Sequence, residues 1–132
     1  MTKFHKKDDV KPIIAIVEDD LPMSELVKRM INSEHIEIEV FSLGVQLIKS
    51  INISNFEYII LDLSLPDIDG FEIMNKLSTT NIVAKIILMS GHDMAVVRAA
   101  KVYGEGIGLN IKEILFKPFS KNEILKAIGV IK

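Results

Sequence analysis

The chain contains no cysteine. That excludes disulfides, thiol nucleophiles and cysteine-ligated zinc, and it suits a reducing cytoplasmic setting. Long apolar runs are missing too. Ile13 to Val17 and Ile86 to Met89 fall far below the length that spans a bilayer, and Met1 to Lys11 has no hydrophobic signal core. Nor is there a surplus of positive charge: sixteen basic against eighteen acidic residues give a formal net charge of −2. Nothing global therefore draws the chain to nucleic acid or an anionic membrane, and no local basic patch stands out. The histidines His5, His35 and His92 are not spaced as metal ligands. What remains is 132 residues that are 48% hydrophobic and 26% charged, a composition that excludes disorder and predicts one folded domain with one site.

The chain is organised around Tyr58-Ile59-Ile60-Leu61-Asp62, followed by a turn through Pro66 and Gly70. The apolar run reads as a strand buried on both faces, and Asp62 ends it. A carboxylate is costly in a core but useful at the carboxyl end of a parallel strand, where open α/β sheets bind ligands. The same pattern occurs earlier, where Ile13 to Val17 stops at Glu18-Asp19-Asp20.

Strands and helices alternate along the rest. Pro22 suits a helix start, with Met23, Leu26, Val27, Met30 and Ile31 as a stripe facing the sheet. Ile36, Ile38 and Val40 alternate with Glu37 and Glu39, the period of an edge strand with one wet face. Ser42 is the expected cap of a short helix carrying Val45, Leu47, Ile48 and Ile51. Further units follow: Phe71 to Leu77, Ile86 to Met89, a helix from about Met94 to Tyr103, Ile114 to Phe116, and Lys121 to Ile128. Gly104 to Gly108 reads as a helix stop and turn, and Asp67 and Asp69 as turn residues rather than ligands. Residues 1–10 read as a flexible, solvated tail, and 11–132 as the domain.

Five βα units predict a single doubly wound (βα)5 α/β domain with a five-stranded parallel sheet. The wet second strand favours the order 2-1-3-4-5, which makes strands one and three neighbours and brings Glu18, Asp19 and Asp62 into one cleft. Carboxylates so close repel by roughly 4 kcal/mol per pair at 4 Å in an effective dielectric near 20. A hard divalent cation with oxygen ligands, such as Mg2+, would offset that repulsion and let Asp62 attack a phosphoryl group. Ser90 and Lys117, at two other strand ends, offer a hydroxyl and an ammonium suited to phosphoryl oxygens.

Val17-Glu18-Asp19-Asp20, Leu61-Asp62 with Leu65-Pro66-Asp67 and Asp69-Gly70, Ser90-Gly91, and Lys117-Pro118-Phe119 together resemble the receiver domain of two-component response regulators, a flavodoxin-like fold. The resemblance covers Lys11 to about Ile128. It implies that Asp62 is the phosphoacceptor, taking its phosphoryl group from a histidine kinase or a histidine phosphotransfer protein. It also implies Mg2+ held by Asp19, Asp62 and the backbone carbonyl of Ser64, with Glu18 acting through water, and Ser90 and Lys117 on the phosphoryl oxygens. A cis Lys117-Pro118 bond belongs to the same pattern. Two departures stand out: Ile114 replaces an aromatic common in receivers, and the stretch from Ser90 to Lys117 is long. The excess, Ala99 to Ile111, looks like receivers attached to cyclic-di-GMP phosphodiesterase domains.

The expected role is a signalling switch that catalyses only its own phosphorylation and dephosphorylation. With no output domain after Lys132, the effect is expected to pass through a downstream protein or a homodimer. The fourth helix with Ile111 and Ile114, part of an α4-β5-α5 face, is the expected contact. One alternative is a phosphate-independent interaction module. Another is an aspartyl-nucleophile phosphohydrolase, disfavoured because Asp62-Leu63-Ser64 lacks a second acid two residues on.

Overall fold

A computed structural model describes residues 11–91 and 93–130; the tail expected over residues 1–10, with His5, and also His92 lie outside the described residues. Five strands, β1 (Ile13–Val17), β2 (Glu37–Phe41), β3 (Phe56–Asp62), β4 (Lys85–Ser90) and β5 (Asn110–Phe116), alternate with α1 (Leu21–Ile31), α2 (Gly44–Ile48), α3 (Gly70–Ser78), α4 (Met94–Gly106) and α5 (Lys121–Ala127). Every strand pairing is parallel, and the order is β2-β1-β3-β4-β5.

The alternation of side chains along the central strands divides the core in two. Ala15, Val17, Ile59, Leu61, Ile86 and Leu88 pack with Leu47 of α2, Ile73, Met74 and Leu77 of α3, and Ala100 of α4. On the other face, Ile14, Ile16, Tyr58, Ile60, Ile87 and Met89 pack with Val27 and Ile31 of α1 and Ile124, Ala127 and Ile128 at α5. Each fully buried aliphatic side chain is worth about 1.5–3 kcal/mol, which is why continuous apolar runs settle as central strands.

Several local expectations are corrected by packing. Leu26 and Ile51 are exposed: α1 turns Ser24, Val27 and Ile31 inward instead, and α2 stops at Ile48, before Ile51. Glu39 is half-buried rather than wet, accepting hydrogen bonds from Ser50 and from the Asn52 side chain. Gly104 does not end α4; it is a helical residue set against Met74 and Ile111, where an added Cβ would lie 3.0 Å from both. The turn comes at Gly108, whose φ of 97° favours glycine. The long stretch between Ser90 and Lys117 is taken up by this extended α4 and by a β5 that begins at Asn110. A bulge at Lys112, where the register steps from Ile86↔Ile111 to Ile87↔Glu113, points Ile111 into the core. Ile111 is thereby removed from the expected partner surface.

Gly44, the first residue of α2, is buried against the loop after β3. A Cβ there would come within 2.3 Å of Ile68 Cγ2 and 2.7 Å of Ile73 Cδ1. Both neighbours are stiff, β-branched and buried, so Gly44→Ala is expected to lower stability by about 1–3 kcal/mol. Urea unfolding checks this, and a midpoint equal to the parent's would contradict it.

Candidate functional site

A parallel sheet delivers all its carboxyl ends to one edge, and the residues singled out in the sequence meet there. Asp62 is the last residue of β3 and Ser90 the last of β4, while Glu18 and Lys117 directly follow β1 and β5. The ladder runs on into the loops: the Glu18 N–H donates to the Phe41 carbonyl at 2.9 Å, Leu63 to Met89 at 3.2 Å, and Lys117 to Ser90 at 2.8 Å. These bonds fix where each functional side chain starts. The Lys117-Pro118 bond is cis.

Glu18, Asp62 and Ser90 are all buried, at 2%, 3% and 2% exposure, whereas Asp19 is exposed. Carboxylate oxygens of Glu18, Asp19 and Asp62 lie within 4.8 Å of one another. Lys117 reaches across them, its Nζ 2.6 Å from Glu18 Oε1 and 3.5 Å from Asp62 Oδ2. The ammonium is thus held chiefly by Glu18, a pairing that reading Lys117 only as a phosphoryl ligand does not anticipate. Backbone donors complete the set: the Asp20 N–H bonds Glu18 Oε2 at 3.2 Å, and the Ser64 N–H bonds Asp62 Oδ1 at 3.1 Å.

Burial pushes the Glu18 carboxyl up and Lys117 pulls it back, but with Asp62 beside it the group ends above the usual carboxylate range. Burial alone would lower Lys117. The bond to Glu18 and the charge of Asp62 outweigh it and hold the ammonium above its ordinary value. Three carboxylates against one ammonium leave an excess of negative charge among donors that are all oxygen, and this fits a hard divalent cation such as Mg2+.

The residues left out of the site have other partners. Asp69 caps α3 by accepting from the Phe71 N–H at 2.7 Å, and exposed His35 lies beside Glu34. Ile114 is half-buried in β5 opposite Leu88, so no aromatic occupies that position. Asp67 has the role that sequence reasoning missed. Its carboxylate accepts from the N–H groups of Gly44 at 3.0 Å and Val45 at 3.1 Å, and so caps α2 from a different loop. Ser42, the expected cap, instead donates through its N–H to the Gln46 side chain. The available clue was that Leu43, at the N-cap, has no acceptor of its own, so the acceptor had to come from elsewhere.

A sequence profile for the response regulator receiver domain matches residues 14–129. The chain belongs to that family. The cell cycle response regulator CtrA of Brucella ovis is 30% identical over 118 residues, 89% of this chain and 49% of the relative. The receiver chain thus spans about half the length of the curated relatives it matches. A response regulator from Colwellia psychrerythraea superposes with a TM-score of 0.77 at 26% identity, over 92% of this chain and 96% of that one. Chemotaxis protein CheY4 of Vibrio cholerae gives 0.76 at 19% identity, over 93% and 100%, a likeness of fold alone. This receiver is therefore a signalling domain of the two-component class with an acidic cluster at the sheet edge. Among the described residues no helix is long and apolar enough to cross a membrane.

Proposed function

We propose that Asp62 is the phosphoacceptor of a cytoplasmic switch whose domain spans residues 11–132. A carboxylate oxygen of Asp62 would attack the phosphorus of a phosphohistidine on a histidine kinase or phosphotransfer protein, forming an O–P bond as the N–P bond breaks. The observation that carries this reading is the burial of Asp62 at a strand end with an ammonium 3.5 Å away and a second buried carboxylate, Glu18, beside it. Asp19, Asp62 and the Ser64 carbonyl would hold Mg2+, with Glu18 acting through water. When bound, the ion supplies positive charge that lets two anions approach. Lys117 would then exchange its carboxylate partners for phosphoryl oxygens, and Ser90, on the adjacent strand, would donate its hydroxyl to another.

The output would pass through the α4 side. Met94, Val96 and Val102 are exposed there while Val97, Ala100 and Gly104 face inward, leaving apolar side chains around the outer side of α4 for a downstream protein or a second copy. The likeness of residues 99–111 to receivers of cyclic-di-GMP phosphodiesterases names one output class to try.

Incubation with Mg2+ and a small phosphodonor is expected to add one phosphoryl group, acid-stable and hydroxylamine-labile, seen by intact mass spectrometry and abolished by EDTA. Failure to label at any donor concentration, in protein that binds Mg2+, would refute the proposal.

A further inference from the structure

The proposed cation site draws on two loops, one after β1 carrying Glu18 and Asp19, the other after β3 carrying Ser64, with Asp62 at the end of β3. Both loops are tied to one short segment, Phe41 to Val45. On one side the Phe41 carbonyl accepts from the Glu18 N–H at 2.9 Å. On the other, the N–H groups of Gly44 and Val45 donate to the two separate oxygens of Asp67, at 3.0 and 3.1 Å. The segment is itself braced, because Gln46 Oε1 accepts from the N–H groups of Ser42 and Leu43, each at 3.1 Å. Packing reinforces the second tie: Leu65 and Ile68, which flank Asp67, are buried, and Ile68 leaves no room for a side chain on Gly44.

We propose that Asp67 is a positioning residue for the metal site, acting through the Phe41 to Val45 segment as a strut that sets the separation of the two acidic loops. The inference rests on the reading of Glu18, Asp19 and Asp62 as a cation site. Asp67 touches neither ion nor phosphoryl group. Its two oxygens hold the loop between Asp62 and Asp69 at its middle, while the Ser64 N–H to Asp62 bond and the Asp69 cap hold it at its ends. With the middle released, the loop loses its hydrogen bonds to the β2 side, and the Ser64 carbonyl is no longer held in register with Asp19. Groups that orient metal ligands without binding the metal typically change affinity by roughly 10- to 100-fold. The lower part of that range is expected here, because Asp67 acts through a loop rather than on a ligand directly.

The test is titration calorimetry with MgCl2 on the wild type, Asp67→Ala, Asp67→Asn, and a Val27→Ala control that loosens the opposite face of the sheet. Thermal unfolding of each in EDTA shows that it is folded. Asp67→Ala is expected to weaken Mg2+ binding about tenfold, Asp67→Asn by less because one acceptor survives, and Val27→Ala not at all. Folded Asp67→Ala with wild-type affinity would overturn the strut and leave Asp67 a simple helix cap. Should Asp67→Ala not fold, Asp67→Asn decides: weaker binding supports the strut and unchanged binding overturns it. No Mg2+ binding by the wild type would instead overturn the cation site itself, and the strut with it.

Discussion

Asp62→Asn is expected to abolish phosphoryl incorporation and, in metal-free protein, to make the domain more stable rather than less. Asn has no carboxylate to form the acyl phosphate, so labelling falls to background. The stability gain follows from the charges. Within the 4.8 Å that bounds the cluster, Asp62 is repelled by buried Glu18 by about 3–4 kcal/mol at an effective dielectric near 20, and by Asp19, which is exposed and so screened by solvent, by about 2–3 kcal/mol. Its attraction to Lys117 at 3.5 Å returns about 5 kcal/mol on the same basis. A net penalty of about 1–2 kcal/mol remains, and Asn removes it while keeping an acceptor for the Ser64 N–H. Urea unfolding in EDTA reads the gain. Added Mg2+ is expected to reverse the order, since an ion that prefers the wild-type site stabilises it by mass action. A variant less stable than wild type in EDTA would show that Asp62 is not under electrostatic strain.

Lys117→Ala removes the counter-charge from that buried group. Taking away one partner of a buried ion pair costs about 3–5 kcal/mol, and because the lysine side chain is 24% exposed about 2–3 kcal/mol is the expected loss in EDTA. Saturating Mg2+ should recover much of it, so the ion stabilises this variant more than it stabilises the wild type. Phosphoryl incorporation should fall steeply even so, because no ammonium is left for the phosphoryl oxygens. The pH dependence gives a second check. Lys117 is raised above its ordinary 10.5, so its contribution is fully present below that value and lost as pH rises through the folded-state value. Wild type should therefore keep its advantage over the variant from neutral pH up to strong alkali, and lose it also in acid, where Glu18, raised above the usual carboxylate range, takes up a proton and no longer pairs with the ammonium. Equal losses with and without Mg2+ would mean the lysine is not the cluster's counter-ion.

The sheet order and the edge carrying the site were legible because they rest on short-range pattern. Apolar runs such as Ile59 to Leu61 can settle only as central strands, the alternation through Ile36 to Val40 marks an edge, and each functional residue stands at a strand's carboxyl end. What could not be read depended on partners distant in sequence. Asp67 looks like a turn residue because its donors, Gly44 and Val45, precede it by more than twenty positions. The early start of β5 was hidden because Asn110, Lys112 and Glu113 interrupt the apolar pattern, and the bulge shifts which face Ile111 and Ile114 occupy. Leu26 and Ile51 fit a helical stripe, but α1 turns Ser24, Val27 and Ile31 to the sheet instead, and α2 ends before Ile51.

The bulge in β5 also bears on whether copies of this domain can join edge to edge. β5 is an outer strand, and its exposed Glu113 lies where a neighbouring chain would have to zip on, beside Lys112, whose ammonium is folded back onto the Ala127 carbonyl. Interrupted geometry and an exposed acidic side chain together discourage sheet-to-sheet polymerisation. The far border carries exposed Glu37, and two copies meeting through that border would bring like charges together. Self-association through main-chain pairing is thereby deterred at both rims, and contact between copies is left to helical surfaces.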